Sequence, residues 1–176
     1  MLKEKLKELG GELMGGRSAD PQKEVEALER SLGVQLPATY RAILIDCGGE
    51  VFLENGAIFR PEEPTPWDDS GDGTLDVNSF YGVGRFRTTL QKMIEALVGE
   101  QIPEWLIPIG ESTFGNQLCL AIGGEDKDAI YFWDHEYNEG TGLYRVAPSF
   151  DAFLKMLQPD PDAHTLIGSE ASDTRP

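Results

Sequence analysis

The chain predicts one α+β domain with antiparallel strands, and three observations carry that reading. Helical and strand-like periodicities are grouped along the chain rather than alternating. The strand-like segments of the second half are joined by short glycine turns, which force antiparallel pairing. A length of 176 residues suits a single core and lets roughly 70% of the unfolded surface be buried. Hydrophobic residues make up 40% of the chain, so it should fold despite a formal net charge of -16.

Leu2, Leu6, Leu9 and Leu13 recur at a spacing of about four among lysines and glutamates, which predicts a short amphipathic helix. Gly10-Gly11 and Gly15-Gly16 should break it. Asp20 suits an N-cap and Pro21 the first helical position, with Val25, Leu28 and Leu32 as the apolar stripe and Gly33 as the stop. Pro37 opens the next helix, whose stripe is Tyr40, Ile43, Leu44 and Cys47 and whose stop is Gly48-Gly49. Val51-Phe52-Leu53 and Ala57-Ile58-Phe59 flank Asn55-Gly56, the pair suited to a tight hairpin turn. Residues 60–79, rich in proline, aspartate and glycine, read as a long loop. Leu90, Ile94, Leu97 and Val98 predict a third helix closed by Gly99. Strands follow at 107–109, 117–122, 129–133 and 143–146, and Ser149 caps a last helix carrying Phe150, Phe153, Leu154 and Leu157. Pro159-Asp160-Pro161 should end it.

The acid is gathered rather than spread. Residues 50–76 hold eight acids and one base, and residues 100–140 nine acids and one base, so these stretches supply -15 of the net -16. Gathered acid builds a local negative potential that steers a cationic partner. Binding nucleic acid through its phosphates needs a basic face, and so does an anionic membrane surface; both are disfavoured as partners. The N-terminus alternates charge without an apolar run, and no segment approaches the roughly 20 apolar residues of a membrane span, so a cytoplasmic location is expected. Cys47 and Cys119 sit in apolar runs and read as packed, reduced thiols.

Catalytic patterns are sparse. His135 is the only histidine ahead of the tail, so a histidine-based metal cluster is not expected. Gly110-Glu111-Ser112-Thr113-Phe114-Gly115 misses the nucleophile-elbow spacing and reads as a turn. Gly82-Val83-Gly84 lacks the third glycine of a pyrophosphate cradle. Asp68, Ser70, Asp72, Gly73, Thr74 and Asp76 fit a calcium loop, but Ser79 stands where its bidentate glutamate belongs, and Pro61, Pro64 and Pro66 forbid a preceding helix. A solvated acidic turn is the stronger reading. His135 between Asp134 and Glu136 could do acid–base work, but a strand-end histidine bonded to a neighbouring loop accounts for it better. Trp67 and Trp105, in or beside the acid, could anchor a protein interface or fill core.

Residues 25–44, from Val25-Glu26-Ala27-Leu28-Glu29-Arg30-Ser31-Leu32-Gly33 through Leu36-Pro37 to Tyr40, followed by Gly48-Gly49, resemble the opening signature of the SUKH superfamily. Ile107-Pro108-Ile109-Gly110 to Gly115-Asn116-Gln117-Leu118-Cys119-Leu120, then Ile130-Tyr131-Phe132-Trp133-Asp134-His135-Glu136, resemble its second block, and Ser149-Phe150-Asp151-Ala152-Phe153-Leu154 its closing helix. The resemblance implies a central, mostly antiparallel sheet with flanking helices over residues 20–158. Residues 1–19 then form an N-terminal helical extension and 159–176 a disordered tail. It also implies an intracellular protein-binding role: either immunity against a bacterial toxin, often a nuclease or deaminase, or regulation of the Smi/Knr kind. Neither role involves catalysis or a cofactor. The expected partner is a toxin domain with a basic surface. The expected contact residues are Glu62, Glu63, Trp67, Asp68, Asp69, Asp72, Asp76, Glu125, Asp126, Asp128, Asp134 and Glu136.

Overall fold

The computed structural model describes residues 2–66, 73–84, 88–137 and 141–161. Helix α1 (Leu2–Glu8) turns Leu6 into the core and, with Leu9 just beyond it, ties the N-terminus down. In α2 (Pro21–Leu32) the Asp20 carboxylate accepts the Lys23 amide at 3.1 Å and Gly33 closes the helix. Its buried Val25 and Leu28 pack on α3 (Ala38–Cys47), which contributes Tyr40, Ile43 and Leu44. Glu29 pins the link between the two helices, accepting the Leu36 amide at 3.0 Å and pairing with Arg41 at 3.3 Å.

Strands β1 (Gly11–Met14), β2 (Glu50–Phe59), β3 (Leu75–Phe80), β4 (Leu106–Glu111), β5 (Gln117–Ala121), β6 (Ile130–Trp133) and β7 (Leu143–Ala147) follow one another in space in chain order, each antiparallel to the next. Helix α4 (Leu90–Leu97) precedes β4, and α5 (Phe150–Met156) follows β7, with Ser149 accepting the Ala152 amide at 3.1 Å. A two-residue strand β8 (Gln158–Pro159) returns to β2. The chain after β2 covers the far edge of β7, through Glu62 N–H to Val146 O at 3.2 Å and Glu63 N–H to Arg145 O at 3.0 Å.

Register assigns the two faces. Directly opposed residues share a face, and adjacent rows point to opposite faces. The row Leu13, Val51, Phe80, Gly110, Leu118, Phe132, Tyr144 faces the helices, and most of it lies in the main core with Phe150 and Phe153 of α5. The next row, Glu12, Phe52, Ser79, Glu111, Gln117, Trp133, Leu143, points the other way. On that outer face a second cluster of Ile102, Leu106, Cys119, Ala121 and Trp133 is covered by Leu97, Val98 and Trp105. The β1–β3 half of that face carries Glu12, Glu50 and Ser79 together with the exposed Met14 and Phe52.

The sequence reading differs from the structure at three places. Residues 75–79, expected inside a long loop, form most of β3, because β2 and β4 flank them with backbone partners. Asn55-Gly56 makes no hairpin: both flanking runs belong to β2 and pair with the same β3, and the register jumps between Phe52 and Ala57. Gly56, at φ 60°, spends its left-handed freedom on a bulge instead of a turn. The glycines after α1 do not simply break a helix. Gly11 begins β1, so the segment expected to be a helical extension also supplies an edge strand of the sheet.

Candidate partner-binding surface

The two acidic segments meet at one cation. Arg145, on β7, bonds Glu62 through Nη1 at 2.5 Å and lies 4.0 Å from Asp126 through Nη2. Its backbone N–H goes to Glu63 Oε2 at 2.8 Å. Across the strands from Arg145, Tyr131 donates its hydroxyl to Asp126 at 2.9 Å. Burial first, then the Asp126 carboxylate, pushes the Tyr131 phenol up to about 12. Glu125 and Asp128 stand on the same β5–β6 turn as Asp126, with Asp128 in the left-handed region at φ 76°.

The remaining expected contacts lie elsewhere. Asp134 and Glu136 follow β6, at its other end from that turn, so a strand separates the two halves of the second acidic segment. Asp134 is 3% exposed and shapes the β6–β7 loop, accepting the Glu136 amide at 3.0 Å and donating its own to Gly142 O at 2.9 Å. Glu136 is exposed beside the His135 ring at 4.0 Å. Asp76 is committed inside the molecule: it accepts Ser112 Oγ at 2.7 Å, Thr113 N–H at 3.1 Å and also Thr113 Oγ1. Trp67, Asp68, Asp69 and Asp72 lie outside the described residues, as does the first part of the calcium-like loop, Asp68 to Asp72. Trp105 stacks edge-on against Tyr131, at 5.3 Å between ring centroids.

Two groups of residues were absent from the sequence-derived contacts. On the outer face, Ser79 donates to Glu50 at 3.3 Å, and Tyr81 donates to Gln117 Oε1 at 2.7 Å. Burial first, and then the neighbouring Glu111 charge, holds Glu50 above the usual carboxylate range, while the Ser79 bond pulls it down. Burial, with Glu111 next, raises the Tyr81 phenol as well. Phe52 is 42% exposed on this face. The second group is the tip of the β4–β5 hairpin, a 3-10 turn (Thr113–Gly115) that projects Phe114 with 62% of its surface exposed. Its only signal in the sequence is an aromatic placed in a turn.

Among the described residues, no group of three or more His, Cys, Asp and Glu could hold a metal ion, and no helix is long and apolar enough to cross a membrane. Both cysteines are free, and burial raises the Cys119 thiol. His135 gives its backbone N–H and ring Nδ1 to Asn116 Oδ1, at 3.2 and 3.0 Å, so the ring braces the hairpin tip.

A single antiparallel sheet with helices packed on it describes an α+β fold of the SUKH type. A model of the SMI1 / KNR4 family (SUKH-1) matches residues 21–156, and the chain belongs to that family. It is also similar to the SPbeta prophage-derived uncharacterized protein YokK of Bacillus subtilis (strain 168). The two are 31% identical over 169 residues, covering 91% of this chain and 86% of that protein.

Proposed function

We propose that this protein is a non-catalytic immunity protein that binds and neutralises a cognate bacterial toxin in the cytoplasm, through an acidic surface. The observation that carries the reading is the meeting of the two acidic segments at Arg145, whose single charge Glu62, Glu63 and Asp126 outnumber. An enzyme acting on nucleic acid carries a basic patch for phosphates, and an anionic protein surface can occupy it in the substrate's place. Rim charges of this kind set the encounter rate more than the affinity. Similarity to a prophage-derived protein is in keeping with a role in conflict between cells.

The reading predicts a toxin gene beside this chain's gene, and the test is co-expression with the toxin domain found there, followed by association kinetics. The wild-type chain should restore growth. Reversing Glu62, Glu63 and Asp126 to lysine should slow association by tenfold or more at low salt and flatten its salt dependence. An unchanged association rate would remove these residues from the interface. Regulation of a non-toxin partner, as in Smi/Knr proteins, is the second reading; it predicts no neighbouring toxin gene and no rescue.

A further inference from the structure

We propose that the tip of the β4–β5 hairpin anchors the partner interface, Phe114 entering an apolar socket of the toxin whose rim carries lysine or arginine facing Glu111 and Glu136. The inference rests on the immunity reading and locates the contact that would hold the complex together. Among the described residues Phe114 is the most exposed of the large hydrophobics, and it sits at φ 62°, ψ 15°. A bulky residue rarely adopts that left-handed conformation, and such strain persists only where the surroundings over-determine it.

The surroundings here do so. Asp76 accepts three donors from Ser112 and Thr113, Asn78 donates to Thr113 Oγ1 at 3.2 Å, and Gln117 donates to Gly115 O at 2.8 Å. Ser112 N–H reaches Asn116 O at 2.9 Å, closing the loop. On the opposite side the His135 ring lies against Gly115, 3.5 Å from where an added Cβ would sit. Bonds from β3 and contact with the β6–β7 loop thus hold the backbone of a tip whose Phe114 is 62% exposed. A tip whose backbone is held before binding loses little freedom on docking, and aromatic anchors in desolvated sockets carry most of the energy of an interface. The described residues of the tip and the adjoining loop, 111–117 and 134–137, contain acid and no lysine or arginine, so the socket's rim should be cationic.

The experiment uses the full chain and a catalytically inactivated form of the toxin domain that the immunity reading predicts beside its gene; absence of such a gene would remove both readings. Phe114→Ala should weaken binding by roughly thirtyfold or more, chiefly through faster dissociation. Glu111→Lys with Glu136→Lys should slow association. Phe114→Gly removes the ring and relieves the backbone together. It should lose the same affinity while its melting midpoint stays level or rises by about 2–4 °C, which separates lost recognition from lost folding. A melting midpoint lowered by more than about 4 °C would make Phe114 a packing residue and overturn the inference. Tight wild-type binding that Phe114→Ala leaves within threefold would overturn the anchor while the immunity reading stands. Absence of wild-type binding would remove both.

Discussion

Asp76→Ala removes the carboxylate around which the β4–β5 tip is built. Three donors lose their acceptor: Ser112 Oγ at 2.7 Å, Thr113 N–H at 3.1 Å and Thr113 Oγ1. They are not equally costly. Thr113 is exposed and its groups can turn to water, whereas Ser112 is 3% exposed and its hydroxyl would be stranded. A hydrogen bond to a charged acceptor is worth about 1.5–3 kcal/mol net, and an orphaned buried donor costs about 1–3 kcal/mol. With the exposed Thr113 bonds contributing little, the change should destabilise the protein by about 2–3 kcal/mol. Asp76→Asn keeps one acceptor oxygen and should cost about 1 kcal/mol. Urea unfolding followed by circular dichroism reads this directly. At a slope of about 2 kcal/mol/M the alanine midpoint should fall by about 1 M with the slope unchanged. Hydrogen exchange should quicken at Thr113 and Asn116 before it does so in the strands. A loss under about 0.5 kcal/mol, the level of an ordinary surface change, would mean that Asp76 does not hold the tip, and the rigid presentation of Phe114 would fall with it.

Two further perturbations probe the sheet. At Gly82 an added Cβ would lie 1.9 Å from Gly49 C and 2.0 Å from Gly49 O, backbone atoms that cannot swing aside. Gly82→Ala should therefore cost about 4 kcal/mol or more in urea unfolding, whereas Gly33→Ala, with nothing within 4 Å but φ at +68°, should cost about 1–2 kcal/mol. Similar losses at both sites would refute the close approach. Glu50 is raised by burial and by Glu111, so the folded protein holds its proton more tightly than the unfolded chain. That contribution to stability is present below the unfolded pKa and is lost as pH rises through the folded one. Glu50→Gln should accordingly be more stable than wild type at pH 7 and equal to it below about pH 4; urea midpoints across that range check the sign, and a less stable variant at pH 7 would refute it.

Much of the fold is legible in the sequence because its signals are local. Asp20, Pro21 and Gly33 delimit α2 by the geometry of a helix's first and last turns, and Ser149 does the same for α5. The strands from β4 to β7 alternate with glycine turns that leave only one way to pair. Asn55-Gly56 misled because a left-handed residue serves a bulge as well as a turn, and the choice depends on β3, which arrives later in the chain. Strand β1 was hidden for a related reason: four residues between glycines carry little pattern of their own and become a strand only when β2 is there to bond them.

The chain's charge, its grouping into two segments and the limits of helices such as α2 and α5 were determined by residue order alone, since each depends on residue type or on neighbours a few positions away. Which acids stand together was decided only by tertiary structure. Strand pairing brings Glu62 and Glu63 to Arg145 from the other half of the chain, sends Asp134 inside, and places Asp76 under the hairpin tip. A carboxylate's role follows from the donors that meet it, and those meeting Asp76, Glu62 and Glu63 lie 36 to 83 residues away in sequence, at separations where no local periodicity survives.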